Sequence, residues 1–225
     1  MHSRAIGDRS GKPCDAGSVM DWRAWHEEYD DPTSTLSRRL QVVRARLGEA
    51  LDSVDAPVPR LLALCAGDAR DVIPVLGSRA DGHRVAAVVV EKDEVLAERA
   101  RAAAAGWLRN VDVRRADAGD VRSFRDVLPV DVLMLCGIFG NVERPTVRHI
   151  VGQAPAMVSA GGFVIWTRGA KGPDDPRPEV RRWFTEEGMP EISFDGPPET
   201  YGVGVNRVEA SRPHPVDERR LFSFV

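Results

Sequence analysis

Two carboxylates and a turn of small residues are the features of this sequence best suited to holding a ligand. Glu91 is the first charged residue after a run of six apolar ones, and Asp117 follows the segment VDVRR. A carboxylate at such a strand end can accept hydrogen bonds from both ribose hydroxyls of a nucleoside. Asp117 can accept from an adenine amino group while the backbone N–H of Ala118 meets a ring nitrogen. The two positions predict a nucleoside site; the alternatives are a solvated Glu91 and an Asp117 that merely shares the turn capped by Asp120.

The turn that precedes them, LCAGDARD, has the small residues that a closely approaching ligand requires. The dinucleotide pattern G-x-G-x-x-G would place Cys65, Gly67 and Arg70 at its glycines, and an arginine cannot provide the close helix packing of the third. The pattern G-x-G-x-G would place Cys65, Gly67 and Ala69 there, and these three small residues match it better. We therefore expect the backbone at Cys65, Ala66 and Gly67 to contact the ligand. Close packing of a strand against a helix is the alternative.

A regular alternation of predicted strands and helices positions these residues. Strands are predicted for five segments, at 61–64, 85–90, 111–115, 130–135 and 162–167. Alternation with helices predicts parallel strands with right-handed crossovers, whose ligands bind beyond the carboxyl ends of the strands. The final segments EISF, YGVGVNRVEA and RLFSFV predict further strands and an antiparallel C-terminal hairpin. We expect an α/β fold with a doubly wound, mostly parallel, seven-stranded sheet.

Residues 20–56 add a helical segment before the first strand. The stretch DWRAWHEEY predicts a short aromatic helix, and Asp31 before a proline predicts the cap of a longer one. Because so short a helix is unstable alone, we expect residues 20–30 to pack as a lid over the carboxyl edge of the sheet. Anchoring to the outside of the domain is the alternative. Residues 1–19 are predicted to be a mobile tail, and residues 57–225 the main domain.

In order and spacing, five segments of the chain resemble the consecutive motifs of the Rossmann-like (class I) S-adenosylmethionine-dependent methyltransferase superfamily. They are LLALCAGDARD, VVVEKDEVLAERAR, VRRADAGDV, VDVLMLCGIFGNV and GGFVIWTRG, between Arg60 and Val208. The resemblance implies that 57–225 is a Rossmann-like methyltransferase domain with S-adenosyl-L-methionine as its cofactor. The contacts it implies are the methionine part over Cys65, Ala66 and Gly67, the ribose on Glu91, the adenine near Asp117 and Ala118, and the fourth strand end at Cys136 and Gly137.

The chain departs from the family pattern at two positions. Ala63 stands where an acidic residue is usual near the end of the first strand, and Ala69 replaces the last glycine. The first departure removes the usual contact to the amino group of the cofactor, so an aspartate or a backbone carbonyl elsewhere has to take it. Tyr29 is expected to meet the cofactor carboxylate through its hydroxyl.

The family places its methyl acceptor at the end of the fourth strand, which reads CGIFGNV here. The N/D-P-P-Y/F signature of enzymes that methylate amino groups of DNA bases or glutamine is absent, so base flipping is not supported. Phe139 is expected to form a pocket wall and Asn141 to act as a hydrogen-bonding catalytic residue, the alternative for Asn141 being a left-handed loop position. His26, in the aromatic helix, is the candidate catalytic base, with capping or packing as its alternative.

The composition argues against several classes of partner. A formal net charge of -3 argues against a nucleic-acid partner. No run approaches the roughly 18 apolar residues of a membrane span. Three cysteines without a C-x-x-C pair predict reduced thiols in a cytoplasmic protein and no metal site. The preference for arginine over lysine indicates a GC-rich bacterial genome, and we expect a monomer or a homodimer.

The combined prediction is transfer of a methyl group from S-adenosylmethionine to an oxygen or nitrogen of a small molecule, in secondary metabolism. An aminopropyltransferase would share the nucleoside contacts of Glu91 and Asp117. It would also need an acidic acceptor site, which the CGIFGNV loop lacks. A non-catalytic nucleoside-binding regulator on the same fold is the second alternative.

Overall fold

The computed structural model describes residues 28–106, 109–170, 174–212 and 219–225. It has seven strands, with the bounds β1 Arg60–Leu64, β2 Ala86–Glu91, β3 Val111–Arg115, β4 Val130–Leu135, β5 Val158–Gly169, β6 Glu191–Asp195 and β7 Tyr201–Arg207. They form one sheet in the order β3-β2-β1-β4-β5-β7-β6. The first five strands pair in parallel, and β7 runs antiparallel between β5 and β6. The predicted seven-stranded, mostly parallel sheet with its antiparallel hairpin is confirmed.

Five α-helices accompany the strands within the described residues. Their bounds are α1 Thr35–Ser53, α2 Val72–Ser78, α3 Glu94–Ala104, α4 Arg144–Met157 and α5 Arg177–Glu186. Between β3 and β4 the chain makes two short 3₁₀ turns in place of a helix, and Asp120 caps the first by accepting from the N–H of Arg122 at 3.0 Å.

Both faces are buried at the centre of the sheet, which explains why β1, β2 and β4 are largely apolar, whereas the edge strands β3 and β6 are only partly buried and carry charged residues. Successive side chains of a strand point to opposite faces. Leu62 and Leu64 of β1 therefore belong to one hydrophobic core, and Leu61 and Ala63 belong to the other. The same alternation runs through β2 and β4, so the two cores sandwich the centre of the sheet and make its carboxyl edge rigid.

Helix α1 is part of this sandwich. Its stripe of Val43, Leu47 and Leu51 joins the second core, and the helix packs against strands β5 and β7. The helix begins later than predicted, because Ser34 caps it by accepting from the N–H of Ser37 at 3.0 Å. Asp31, the predicted cap, instead closes a turn by accepting from Thr33. The expected lid therefore concerns only the residues before this helix, and 1–27 lie outside the described residues.

The segment RLFSFV is not a strand of the sheet, contrary to the sequence prediction. Strand β7 has β5 on one edge and β6 on the other, so no edge is left to pair with a further segment. Residues 219–225 instead lie against the loop between β3 and β4, where Arg220 forms a single antiparallel bridge with Asp120.

The turn between β1 and α2 has an unusual backbone. Cys65, Gly67 and Ala69 have φ values of 55°, 57° and 54°, all in the left-handed region. A residue with a Cβ costs roughly 1–2 kcal/mol there. These are the three positions that the sequence matched to G-x-G-x-G, so the chain keeps the glycine conformation at two positions without the glycines.

This backbone generates a stability prediction. Ala69→Gly should change the free energy of unfolding by less than about 0.5 kcal/mol, because relief of left-handed strain offsets the loss of a buried methyl group. Ala97→Gly is the matched control, since Ala97 is equally buried but lies inside α3. It should cost about 1–2 kcal/mol, from helix propensity and burial together. Urea denaturation measures both, and equal losses would contradict a strained Ala69.

Candidate functional site

A cleft of about 680 Å³ opens at the carboxyl edge of the sheet. It lies where β1 has β2 on one side and β4 on the other, the switch point at which ligands bind in doubly wound sheets. Eight of the twelve residues expected to form the site line it: Tyr29, Cys65, Ala66, Glu91, Asp117, Ala118, Cys136 and Gly137. The fold thus brings together residues that are up to about a hundred positions apart in the chain.

Glu91 is the fixed point of the cleft. The backbone N–H of Gly67 donates to its Oε2 at 2.8 Å, and the N–H of Asp93 donates to its Oε1 at 2.8 Å. Each carboxylate oxygen has a second lone pair, and the side chain is only half-buried. The carboxylate is therefore held in one orientation while it can still accept from two hydroxyls of a ligand. Gly67 itself is buried behind this contact and contributes through its N–H.

Two cysteines lie in the wall of the cleft, at the ends of β1 and β4. Burial raises the pKa of both thiols, and the charges of Glu91 and Asp117 raise that of Cys65 further. Both side chains are therefore neutral thiols at physiological pH, which makes them packing residues and poor nucleophiles. In the part of the chain that the structure describes, no group of three or more His, Cys, Asp or Glu residues is arranged to hold a metal ion.

Asp117 lies at the opposite end of the cleft from Tyr29 and is already held by the protein. Its Oδ1 accepts from the N–H of Gly119 at 2.9 Å, and its Oδ2 accepts from the guanidinium of Arg220 at 3.1 and 3.2 Å. The ammonium of Lys92 lies 3.7 Å from the same oxygen. Ala118 is buried beside it. Sequence reasoning did not anticipate Arg220, because its partner is about a hundred residues earlier in the chain.

Tyr29 closes the other end of the cleft. The guanidinium of Arg39 donates to its hydroxyl at 3.0 Å, and that of Arg70 lies 4.7 Å from the centre of its ring. Desolvation raises the pKa of the phenol, although Arg39 opposes the shift. Ser37 fixes the backbone by donating to the Tyr29 carbonyl at 2.8 Å. Arg70 is itself paired with the Asp68 carboxylate, so the phenol and the Arg39 guanidinium are the groups at this end of the cleft that suit a ligand carboxylate.

Asp71 is a cleft residue that the sequence reasoning did not single out. Its carboxylate accepts from the N–H of Val72 at 2.9 Å, and among the described residues no cation forms an ion pair with it. Desolvation is the main reason that its pKa rises to about 6, with a smaller contribution from the charge of Asp68. A poorly compensated carboxylate in a cleft marks a position suited to a cationic ligand group. Its position four residues after Gly67 was the sequence feature that could have identified Asp71 as a cleft residue.

Two residues of the fourth strand end do not line the cleft. Asn141 donates from Nδ2 to the carbonyl of Gly137 at 2.6 Å and so closes the turn after β4. Phe139 is fully buried, with its ring centre 6.0 Å from that of Trp166 and 6.4 Å from that of Phe184. The expectation that Phe139 forms a pocket wall was wrong, because the turn directs its side chain into the core. A catalytic role for Asn141 stays a prediction.

His26 lies outside the described residues, as do Trp22 and Trp25. Its assignment as a catalytic base and the lid of residues 20–30 stay predictions. Tyr29 and its neighbours form the described remainder of that segment, a short 3₁₀ turn at Glu28–Asp30.

The cleft wall leaves room for a bound group at Gly137. This residue has φ +77°, and a Cβ built on it would meet no atom within 4 Å. A side chain there would project into the open cleft between the ends of β1 and β4. The groups of the cleft suit a nucleoside joined to an amino acid. Glu91 provides acceptors, Gly137 leaves open space, and charged groups lie around Tyr29 and Asp71.

Comparison with known proteins shows the fold. No protein-family model matches the sequence, and no curated protein matches it. An O-methyltransferase family protein from Burkholderia thailandensis is 14% identical, with a TM-score of 0.61 over 85% of this chain and 61% of that one. An O-methyltransferase family 2 protein from Planctomyces limnophilus, in complex with apigenin, is 16% identical, with a TM-score of 0.54 over 77% and 60%. Aeropyrum pernix fibrillarin with natively bound S-adenosyl-L-methionine is 18% identical, with a TM-score of 0.51 over 72% and 74%.

The chain has the fold of the class I, Rossmann-like S-adenosylmethionine-dependent methyltransferases. It spans about three fifths of the length of the two O-methyltransferases. Among the described residues, none of the helices combines the length and apolar character that crossing a membrane requires.

The buried charge of Asp71 predicts a pH-dependent stability. Its folded pKa of about 6 lies above the unfolded value near 4, so ionisation disfavours the folded state as pH rises between these values. Asp71→Asn keeps an acceptor for Val72 and should raise the free energy of unfolding at about pH 8 by about 1–3 kcal/mol, at 1.36 kcal/mol per pKa unit. The gain should vanish towards about pH 4, where the wild-type carboxyl is protonated.

Asp120→Asn is the matched control with the opposite sign. Arg122 lowers the pKa of Asp120 to about 2, so this carboxylate stabilises the fold above its unfolded pKa and the contribution disappears as pH falls. The control variant should be less stable than the wild type at neutral pH. Urea denaturation at both pH values decides the matter, and an Asp71→Asn variant no more stable than the wild type at about pH 8 would refute the buried charge.

Proposed function

We propose that the protein binds S-adenosyl-L-methionine in this cleft and transfers its methyl group to an oxygen or nitrogen of a small-molecule acceptor. The observation that carries the proposal is the Glu91 carboxylate, which is fixed by the N–H of Gly67 at the switch point of the sheet. It supports a ribose contact because Glu91 lines the cleft and each of its oxygens has a lone pair beyond the one that accepts from the backbone. The likeness of the fold to solved methyltransferases adds to this support.

In this proposal the ends of β1, β2 and β3 hold the parts of the cofactor in turn. The methionine part lies over Cys65–Gly67, where the left-handed backbone permits close approach. The ribose hydroxyls donate to Glu91. The adenine amino group donates to Asp117, and the N–H of Ala118 meets a ring nitrogen. Cys136 and Gly137 form the adjoining wall at the end of β4.

Asp71 takes the amino group of the methionine part, in place of the acidic residue that the family has where Ala63 stands. A bound ammonium would form the ion pair that Asp71 does not make within the described protein, where Arg44 acts on it only as a weaker, more distant charge. The carboxylate of the same methionine part lies towards Tyr29 and Arg39 at that end of the cleft. A cofactor that carries both an ammonium and a carboxylate matches this pairing of one acid with a phenol and an arginine.

The chemistry follows from positioning. When bound, S-adenosylmethionine supplies a methyl group on a positively charged sulfur, which is reactive without an acid catalyst. The chain orients the acceptor in line with that group and excludes water from the cleft, which can supply much of the rate acceleration. A base is needed only for an acceptor that is protonated at the working pH, and His26 is our candidate for that role. Asn141 contributes by holding Gly137 in the wall.

A small-molecule acceptor is favoured over nucleic acid by the charge of the chain. The formal net charge is -3, whereas a phosphate backbone requires a basic surface. The solved structures alone do not select the acceptor, because they include a protein with bound apigenin and a fibrillarin described as a pre-rRNA processing protein. We extend the proposal to a cytoplasmic bacterial enzyme on the strength of the cysteine content and the preference for arginine. The proposal further takes the enzyme to be monomeric or homodimeric and to act in secondary metabolism.

The aminopropyltransferase alternative gains one observation from the structure. Asp71 could hold an ammonium of a polyamine acceptor as well as that of a methionine. Against it, decarboxylated S-adenosylmethionine, the aminopropyl donor, has no carboxylate to place near Tyr29 and Arg39. A non-catalytic nucleoside-binding regulator would use the same cofactor contacts and differ only in lacking turnover.

The cofactor prediction compares three ligands. S-adenosylhomocysteine should raise the melting temperature in a thermal-shift titration, since a ligand that binds only the native state stabilises it. Decarboxylated S-adenosylmethionine should raise it less, and NAD should leave it unchanged. Stabilisation by NAD in preference to S-adenosylhomocysteine would reject the proposal, and a larger shift with the decarboxylated compound would favour the aminopropyltransferase.

The ribose contact can be tested at Glu91. Glu91→Gln replaces the charged acceptor and should weaken S-adenosylhomocysteine binding by about 1.5–3 kcal/mol, the range for hydrogen bonds to charged groups. Glutamine retains one oxygen for the loop N–H groups, so it perturbs the fold less than alanine would. Glu98→Gln is the control, because Glu98 is an exposed residue of α3 paired with Arg101. Calorimetry measures both, and equal affinities would show that the ribose lies elsewhere.

A further inference from the structure

The 219–225 segment is joined to the loop after β3 by backbone hydrogen bonds. The N–H of Leu221 donates to the carbonyl of Gly119 at 2.8 Å, and the N–H of Val121 donates to the carbonyl of Arg219 at 3.1 Å. Further along, the N–H of Val225 donates to the carbonyl of Asn141 at 3.1 Å. The segment is thereby tied to the turns that follow both β3 and β4.

Side chains anchor the same segment into the protein core. Leu221 is 1% exposed and Phe222 is 5% exposed, and both join the hydrophobic core that contains Ala118. The packing is close enough to require a glycine opposite it, since a Cβ on Gly119 would lie 2.2 Å from the carbonyl oxygen of Phe222. The segment is therefore a built part of the fold at this edge of the sheet.

The other side of the 219–225 segment faces the cleft. Four of its residues line the cleft beside Asp117 and Ala118: Arg220, Phe222, Ser223 and Phe224. The ring centres of Phe222 and Phe224 are 5.5 Å apart, and Phe224 remains 41% exposed although it is a large apolar residue. Exposed aromatic surface in a cleft wall is available to stack on a flat ligand group. The Arg220 guanidinium meanwhile holds one oxygen of the Asp117 carboxylate.

We propose that the 219–225 segment forms the wall that binds the adenine base of the cofactor. Phe224 contacts the base through its ring, and Arg220 is a positioning residue that orients Asp117 towards the exocyclic amino group. This inference rests on the proposed function, because it assigns the base to the end of the cleft that Asp117 and Ala118 define. It adds a specificity-determining element from a part of the chain that follows the whole sheet.

The test uses calorimetry on the full chain with three compounds that differ only at the base. They are S-adenosylhomocysteine, S-inosylhomocysteine, in which an oxygen replaces the amino group, and S-ribosylhomocysteine, which has no base. Phe224→Ala should weaken binding of S-adenosylhomocysteine by about 5- to 100-fold, the effect of losing one aromatic stacking partner of a base. It should leave the affinity for S-ribosylhomocysteine unchanged, because the remaining contacts are intact.

Arg220→Ala should reduce the preference for the adenosyl over the inosyl compound, since Asp117 loses the partner that orients it. Two controls are matched to these variants. Ile192→Ala removes a comparably exposed apolar side chain on β6, and Arg122→Ala removes an arginine paired with Asp120 in the same loop but outside the cleft. Neither should alter the affinity for any of the three compounds.

Each outcome bears on a different statement. Equal losses of affinity for the adenosyl and ribosyl compounds in Phe224→Ala would overturn the base wall, as would an unchanged affinity for S-adenosylhomocysteine. An unchanged adenosyl-to-inosyl preference in Arg220→Ala would overturn the positioning role. Wild-type protein that binds none of the three compounds would overturn the proposed function, and the base wall with it.

Discussion

The hydrogen bond from the Gly67 N–H to the Glu91 carboxylate is the contact on which the rest of the site depends. It links the end of β1 to the end of β2 across the edge of the sheet, and its donor Gly67 lies in the left-handed turn. Cys65 and Ala69 hold that conformation without being glycines, and burial of Ala69 under the N-terminus of α2 sustains the strain. The protein thus sets the geometry of the site before a ligand binds. In such a site, the binding energy can be used to orient the reacting groups.

The carboxylates of the cleft fall into two kinds. Glu91 and Asp117 are each held by two or more donors and act as rigid acceptors. Asp71 accepts only from backbone N–H groups and forms no ion pair among the described residues, and desolvation leaves its pKa raised. A charge that destabilises the empty protein is common at functional sites, because the ligand supplies the missing partner. The cleft therefore has two parts. Glu91 and Asp117 are suited to accepting hydrogen bonds from hydroxyl and amino groups of a ligand, and Asp71 is suited to pairing with a positively charged group.

Features that depend on neighbouring residues could be predicted from the sequence, and features that depend on distant residues could not. The segments VDVRR and VDVLML match β3 and β4 residue for residue. The signal for β4 is its largely apolar run, typical of a strand buried on both faces, whereas β3 is a partly exposed edge strand with charged residues. Seven of the eight cleft residues follow from one topological rule about strand ends, and Tyr29 is the exception because it precedes α1. The sequence did not reveal features that depend on distant partners. Arg220 meets Asp117 across the chain, RLFSFV is displaced from β7 by β6, and Phe139 turns inward to Trp166. Asp31 and Ser34 are both suitable N-cap residues for α1, so the local sequence does not determine that Ser34 caps the helix.

The attachment of the 219–225 segment has a consequence for the order in which the molecule folds. The ion pair of Arg220 with Asp117 spans 103 residues, and the contact of Val225 with Asn141 is also long in sequence. Closing such loops costs chain entropy that only a formed sheet can recover. The core of β1, β2 and β4 can therefore assemble while one wall of the cleft is still absent. A complete cleft therefore requires the closure of these long loops in addition to the formation of the sheet.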